Sequence, residues 1–107
     1  MFSIINKIKQ FFGVHIVDIL SIIESGAIIL DVRNLDEYEK DHIPESILIP
    51  LPELESHLSE LSSFKLPIIA YCRSGRRSGI ASRILNKHGI ESYNGGGIRD
   101  MKKLMKK

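Results

Sequence analysis

The sequence contains a single cysteine, Cys72, among its 107 residues. One cysteine cannot form a disulfide within the chain or supply a metal site built from several thiolates, so we expect no disulfide, metal or other cofactor. No apolar run approaches the roughly 20 residues that a membrane-spanning helix needs. These absences argue against a disulfide-stabilised secreted protein and a membrane-spanning protein, and they favour a reducing compartment such as the cytoplasm.

The composition is that of one soluble globular domain. A chain of 12.1 kDa has room for one domain, and a hydrophobic fraction of 43% with a charged fraction of 26% argues against wholesale disorder. We predict that residues 13–107 form this domain and that residues 1–12 form an amphipathic leader helix. Lysines interrupt the apolar residues of the leader, which argues against a secretory signal.

The net charge of +2 conceals an uneven distribution. Residues 13–71 contain eleven acidic residues against three basic ones, whereas residues 72–107 contain ten basic residues against two acidic ones. A basic half can bind nucleic acid, but the two halves of a compact domain interleave, so we expect no nucleic-acid partner. The informative feature is local, because three arginines follow Cys72 within five positions: Arg73, Arg76 and Arg77.

Short apolar runs alternate with helical patterns along the chain. Runs rich in branched residues predict strands at 28–32, 47–49, 67–71 and 90–93. Apolar spacings of three and four residues predict helices at 16–25, around Leu54 to Leu61 and around Ile80 to Leu85. Asn34 can cap a short helix at 34–40, and we expect a basic helix at the C-terminus. Strands separated by helices form right-handed crossovers. We therefore predict an α/β fold, a small parallel sheet with helices on both faces.

Two polar clusters follow predicted strands, where parallel sheets place their sites. They are Asp31-Val32-Arg33 and Cys72-Arg73-Ser74-Gly75-Arg76-Arg77. A cysteine in a short glycine-containing loop that enters a helix faces unpaired backbone N–H groups and the positive end of the helix dipole. These groups and the arginines stabilise a thiolate and lower the cysteine pKa. The pattern predicts a nucleophile in an anion-binding loop.

Five motifs occur in a characteristic order: Asp31-Val32-Arg33, Glu37-Tyr38, His42-Ile43-Pro44, the segment from Tyr71 to Ser78, and Gly96-Gly97. In this order and spacing they resemble the motifs of the single-domain rhodanese (thiosulfate sulfurtransferase) family. The resemblance covers residues 14–105, and the cysteine loop is its most specific part. It implies the rhodanese-like three-layer α/β/α fold.

The resemblance also implies a reaction. Cys72 would take a sulfane sulfur from a donor such as thiosulfate, hold it as a persulfide, and pass it to a thiophilic acceptor, which is cyanide in the assay and a thiol in cells. The backbone amides of the loop from Arg73 to Arg77 would wrap the persulfide, and Asp31 and Arg33 match residues that brace this loop. We expect Asp31 and Arg33 to form a structural ion pair rather than to carry protons. We expect a monomer with small-molecule partners, and a protein persulfide is a further candidate donor.

Three positions depart from the family pattern. Glycine is common on both sides of the His-Ile-Pro motif, where this chain has Asp41 and Glu45, and the tryptophan usual after the double glycine is Met101 here. These departures lie outside the cysteine loop and are peripheral to the expected catalysis. We expect His42 to be a loop residue bonded to the backbone rather than an acid or base.

Two alternative functions belong to other classes. Cysteine phosphatases also hold a thiolate in an anion loop, but their spacing of Cys, five residues and Arg requires arginine at position 78, which is Ser78 here. Arg77 closes a loop one residue shorter. By analogy with the phosphatase branch of the superfamily, a loop of this length suits a single sulfur atom better than a phosphate ester. The second alternative is a silent rhodanese-like protein-binding module, a type that usually lacks the cysteine. Thioredoxin-type exchange is disfavoured because there is no partner cysteine.

Overall fold

Four parallel strands form the sheet in the computed structural model, which describes residues 18–106. Strand β1 spans Ile28–Asp31, β2 spans Ile47–Leu48, β3 spans Ile68–Cys72 and β4 spans Ser92–Gly97. Their order in the sheet is β2-β1-β3-β4, and every neighbouring pair is parallel. The predicted parallel sheet is confirmed, and its two central strands are the ones that precede the two polar clusters.

Helices connect the strands and follow the last one. They are α1 (Ile19–Ser25), α2 (Leu35–Lys40), a 3₁₀ helix (Leu51–His57) that continues into α3 (Leu58–Ser63), α4 (Arg76–Lys87) and α5 (Ile98–Met105). The predicted cap of α2 is confirmed, because the Asn34 side chain accepts the Glu37 N–H while the Glu37 carboxylate accepts the Asn34 N–H. The predicted leader helix at 1–12, and the start of the helix predicted at 16–25, lie outside the described residues.

The alternation of side chains along the strands divides the core into two layers. Leu30, Ala70 and Cys72 point to the face covered by α4, α3 and the 3₁₀ helix. Ile29 and Tyr71 point to the other face, which α1 and α5 cover. Helices therefore lie on both faces of the sheet, as predicted, and Cys72 is directed at the layer that contains α4.

Strand β4 differs most from its prediction. It was expected at 90–93, but it extends through the three glycines to Gly97. Opposite β3, Asn94 pairs with Ala70 and Gly97 pairs with Cys72, so β4 carries one extra residue as a bulge. A side chain at Gly97 would collide with the Arg73 carbonyl oxygen. The glycines thus let β4 pass close to the cysteine loop, whereas the same run in the sequence is typical of a turn.

Candidate active site

Cys72 is the last residue of β3, and its side chain is fully buried. Residues 73–75 connect it to α4, which begins at Arg76, four residues before Ile80, the first residue of the predicted apolar stripe. The Sγ atom accepts hydrogen bonds from the Gly75 N–H at 3.0 Å and the Ser78 N–H at 3.4 Å, and the Ser78 Oγ lies 3.3 Å away. The sulfur atom therefore accepts one N–H group from the loop and one from the first turn of α4.

Gly75 directs its N–H toward the sulfur because its backbone is left-handed, with φ of 99° and ψ of −8°. Glycine adopts this conformation without the steric cost that a Cβ brings. A side chain at this position would also lie 3.4 Å from the Gly96 Cα in the bulge of β4. Both the conformation of the loop and its packing against β4 therefore depend on glycine at position 75.

The net effect of these surroundings is to lower the pKa of the Cys72 thiol. Burial alone raises the pKa, and it is the largest single influence. The Ser78 hydroxyl and the N–H groups of Ser78, Gly75 and Ser74 act in the opposite direction and together prevail. Because these donors favour the charged form, they increase the thiolate population, and the thiolate is the nucleophilic form of cysteine.

The three arginines of the loop occupy different positions. Arg73 and Arg76 are exposed to solvent. Arg77 forms a bidentate pair with Glu37 of α2, with Nη1–Oε1 and Nη2–Oε2 distances of 2.8 and 2.9 Å. Hydrogen bonding to Arg77 is the main reason that the pKa of Glu37 falls to about 2. This pair could not be predicted from the sequence, because complementary charges 40 residues apart are too common to single out one partner.

Asp31 and Arg33 form a buried ion pair at the end of β1, with 2.7 Å between Arg33 Nη2 and Asp31 Oδ2. The hydrogen bonds that Arg33 donates to the Asp31 carboxylate raise the pKa of Arg33. Arg33 also donates to the Asp41 carbonyl at 2.7 Å and lies over the Tyr71 ring. The predicted ion pair is confirmed. Its hydrogen bonds support the segment after α2 rather than residues 73–77 directly, and its role in bracing the cysteine loop stays a prediction.

The segment after α2 is held by hydrogen bonds from the sheet and from α2. The Tyr71 hydroxyl accepts the Ile43 N–H and lies 3.0 Å from the Ser46 Oγ. His42 places Nδ1 2.8 Å from the Tyr38 carbonyl and stacks on the Tyr38 ring, which confirms a backbone-bonded histidine.

The positions that depart from the family pattern have identifiable surroundings. Glu45 stands where glycine is common and has a φ of 72°, a left-handed conformation that is costly for a residue with a Cβ. Asp41 pairs with Lys102 of α5. Met101, in place of the usual tryptophan, is fully buried against the layer that contains Tyr71.

Within residues 18–106, no group of three or more His, Cys, Asp and Glu side chains is arranged to hold a metal ion. None of the helices in this part of the chain is both long enough and apolar enough to cross a membrane.

The fold and the site together define a class of proteins. A three-layer α/β/α domain carries a cysteine at the end of a central parallel strand, in a loop that directs backbone N–H groups at the sulfur. The model of the rhodanese-like domain family matches residues 16–103, and the chain belongs to this family.

Relatives of known sequence include sulfurtransferases and a sulfur carrier. The thiosulfate sulfurtransferase PspE of Escherichia coli is 34% identical over 74 residues, which are 67% of this chain and 71% of PspE. The putative sulfur carrier protein YrkF of Bacillus subtilis is 48% identical over 63 residues. That alignment covers 59% of this chain but 34% of YrkF, so the chain spans about a third of the length of this relative.

Solved structures show the same fold. A rhodanese with anions from Escherichia coli has a TM-score of 0.65 and 32% identity, and the match covers 70% of this chain and 91% of that one. A human single-domain sulfurtransferase has a TM-score of 0.63 and 27% identity, with 82% and 92% covered. Sulfur transfer is thus the activity that recurs among the named relatives.

Proposed function

We propose that the chain is a sulfurtransferase in which Cys72 carries a sulfane sulfur from a donor such as thiosulfate to a thiophilic acceptor. One observation supports this function above the others. The single cysteine of the chain is buried at the end of β3 and accepts hydrogen bonds from two backbone N–H groups, those of Gly75 and Ser78. These donors stabilise an anionic sulfur, which both the thiolate and the persulfide possess.

The reaction has two displacement steps. The Cys72 thiolate attacks the outer sulfur of thiosulfate, the S–S bond of thiosulfate breaks, and sulfite leaves with the bonding electron pair. The enzyme then carries a persulfide anion on Cys72. In the second step cyanide, or a thiolate in cells, attacks the terminal sulfur, and the thiolate of Cys72 is the leaving group. Charge and atoms balance in each step without an oxidant or reductant.

The exposed arginines and the backbone donors have different tasks in this proposal. Arg73 and Arg76 lie on the solvent side of the loop, where their charge attracts a dianion such as thiosulfate. Arg77 is held by Glu37, so its charge is partly neutralised. Neutralising Arg76 should therefore raise the KM for thiosulfate by roughly fivefold, an effect that salt screens over about 10 Å at 0.1 M. The same change in Arg77 should also loosen its contact with α2.

The site favours sulfur transfer over phosphate ester hydrolysis. The loop from Cys72 to Arg77 is one residue shorter than the phosphatase spacing, and at position 78 the Ser78 hydroxyl contacts the sulfur where a phosphatase has arginine. We expect negligible Cys72-dependent hydrolysis of aryl phosphates. We further propose that the protein works as a monomer in a reducing compartment such as the cytoplasm, on a small donor or on a protein persulfide.

Intact-protein mass spectrometry after exposure to thiosulfate tests the proposal. We expect a gain of one sulfur atom that cyanide removes as thiocyanate, and no gain in Cys72→Ser, whose circular dichroism should match that of the unchanged protein. A folded wild-type protein that gains no sulfur from thiosulfate or from a persulfide donor would instead indicate a silent binding module. A gain of sulfur that persists in Cys72→Ser would contradict the assignment of the carrier residue.

A further inference from the structure

Asn94 on β4 connects three parts of the site through one carboxamide group. Its Nδ2 donates to the Gly75 carbonyl at 2.9 Å. Its Oδ1 accepts from the Ser78 hydroxyl at 2.7 Å and from the Gly96 N–H at 2.9 Å. Asn94 belongs to none of the motifs recognised in the sequence. It lies in the bulged part of β4, where the structure brings the strand against the cysteine loop.

The partners of Asn94 determine which way its amide faces. The Gly75 carbonyl can only accept a hydrogen bond, and the Gly96 N–H can only donate one. A flipped amide would lose both bonds. Gly75 and Ser78, the two residues that Asn94 contacts on the helix side, are also the two whose N–H groups point at Sγ of Cys72. Asn94 therefore contacts both residues that donate to the sulfur, through groups other than the N–H groups that point at Sγ.

The Ser78 hydroxyl has one hydrogen and more than one acceptor near it. Asn94 Oδ1 lies at 2.7 Å and Cys72 Sγ lies at 3.3 Å. When Cys72 is a thiol, its S–H can donate to the Ser78 oxygen while the Ser78 hydrogen stays on Asn94. When Cys72 is a thiolate, the sulfur can only accept, and a charged acceptor attracts the hydrogen more strongly than an amide oxygen does. Asn94 keeps the Gly96 N–H in either case.

We propose that Asn94 is a positioning residue for the Cys72 sulfur, acting through Gly75 and Ser78. Its amide hydrogen fixes the loop so that the Gly75 N–H faces Sγ. Its oxygen is a neutral acceptor that keeps the Ser78 hydroxyl beside the sulfur. When the thiolate or persulfide forms, the hydroxyl can turn and donate to the sulfur instead. The inference rests on the proposed role of Cys72 as the nucleophile and adds a residue on a different strand that controls it.

Asn94→Asp is the decisive substitution because it keeps the size of the side chain and changes its chemistry. A carboxylate cannot donate to the Gly75 carbonyl, it binds the Ser78 hydroxyl more strongly, and it adds negative charge near the sulfur. All three changes disfavour the thiolate. We expect the pH midpoint for alkylation of Cys72 by iodoacetamide to rise, with a rate roughly tenfold lower at pH 7 and little changed where the thiol is fully ionised.

Asn86→Asp is a matched control. Asn86 is also an asparagine that joins α4 to β4, with its Nδ2 donating to the Ser92 carbonyl at 3.2 Å and its Oδ1 accepting the Ser92 N–H at 2.9 Å. Neither of these residues contacts the sulfur. We expect Asn86→Asp to leave the alkylation midpoint of Cys72 unchanged, although it perturbs the same helix–strand junction.

The other charged groups around the loop are the same in all variants, so they do not account for a difference. They are Arg73, Arg76, Arg77 with its partner Glu37, Asp100, which accepts the Gly97 N–H, and Arg83, whose guanidinium lies near Gly79 as the Asn94 amide does. Because Cys72 is the single cysteine of the chain, alkylation reports on this sulfur alone. The measurement does not require sulfur transfer, so it can fail or succeed independently of the proposed function.

Ser78→Ala provides a second route to the same conclusion if Asn94→Asp does not fold. It removes the hydroxyl and should also raise the alkylation midpoint. The shift in the double variant should be smaller than the sum of the two single-variant shifts, because Asn94 acts partly through Ser78. An alkylation curve unchanged in either folded single variant overturns the proposal. So does an Asn86→Asp shift as large as that of Asn94→Asp, because it would indicate a general effect of the junction.

Discussion

The two polar clusters lie at the same edge of the sheet, after neighbouring strands, and satisfy their polar groups in opposite ways. After β1, the buried Asp31 and Arg33 neutralise each other, and Arg33 Nη2 also donates to the Asp41 carbonyl. After β3, the buried Cys72 is surrounded by the N–H groups of Gly75 and Ser78 and by the Ser78 hydroxyl. The first cluster consists of paired charges, whereas the second consists of dipoles directed at one atom.

This difference suits the first cluster to stabilising the fold and the second cluster to stabilising charge on a reacting sulfur. A buried ion pair whose charges are already compensated offers little to a substrate, and breaking it leaves an uncompensated charge in the interior. A set of backbone donors around one sulfur instead stabilises any negative charge that develops there, without forming a strong pair that must be broken. Changes in the first cluster should therefore act on stability, and changes in the second should act on the chemistry of Cys72.

The largest expected effect is on stability, from Asp31→Asn. The change leaves the buried Arg33 without its counterion and should lower the free energy of unfolding by about 3 kcal/mol. Urea denaturation measures this, and the exposed Glu55→Gln should change the same quantity by less than about 0.5 kcal/mol. Sulfur transfer per folded molecule should persist in Asp31→Asn. A selective loss of transfer with unchanged stability would place Asp31 in direct support of the cysteine loop.

Gly97→Ala should act mainly on the second cluster. The added methyl group collides with the Arg73 carbonyl and lies 3.4 Å from the Ser74 Cα, so the loop must move away from β4. Overpacking of this kind costs about 1–3 kcal/mol, and we expect sulfur transfer to fall at least about tenfold.

The control for Gly97→Ala is Gly89→Ala at the end of α4. Gly89 has a φ of 79°, and apart from its neighbours in the chain no atom of residues 18–106 lies within 4 Å of the position of an added Cβ. This variant should lose about 1 kcal/mol of stability through backbone strain, with normal transfer kinetics. Equal loss of transfer in both alanine variants would show that the effect is not specific to the cysteine loop.

Tyr71→Phe tests how much the Tyr71 hydroxyl, next to the first cluster, stabilises the segment after α2. It removes the acceptor of the buried Ile43 N–H, which should destabilise the protein by about 1.5 kcal/mol. Burial is the main reason that the pKa of Tyr71 rises to about 12, so the phenol is neutral at working pH and the loss should not vary between pH 6 and about pH 9. Thermal unfolding at several pH values checks this, and a loss that changes strongly within this range would point to another titrating group.

Glu37→Gln should have the smallest effect, because the pair with Arg77 is partly exposed. We expect it to lower the unfolding free energy by about 1 kcal/mol at pH 7. Glu37 has a lowered pKa in the folded protein, so its contribution is complete above the ordinary value of 4.5 and is lost as the pH falls toward about 2. The difference in stability between the variant and the unchanged protein should therefore vanish across this interval, and a constant difference down to pH 2 would exclude the ion pair as its cause.

Much of this architecture is predictable from local patterns along the chain. Short branched runs indicated the strands because a strand buried on both faces has to be apolar at successive positions. The Asn34 cap was identified because its hydrogen bonds join residues three positions apart. The position of Cys72 between a strand and a helix followed from the same kind of local pattern.

The sequence also determined the chemistry of the site as far as it depends on neighbours in the chain, because Gly75 and Ser78 lie within six positions of Cys72. Three features depended on how distant segments meet: the Arg77–Glu37 pair, the passage of the glycines of β4 beside the loop, and the contact of Asn94 with Gly75 and Ser78. Their partners are 16 to 40 residues apart in the chain. No local pattern specifies such pairs, since each arises from the register of β4 on β3 and from the packing of α2 against the start of α4.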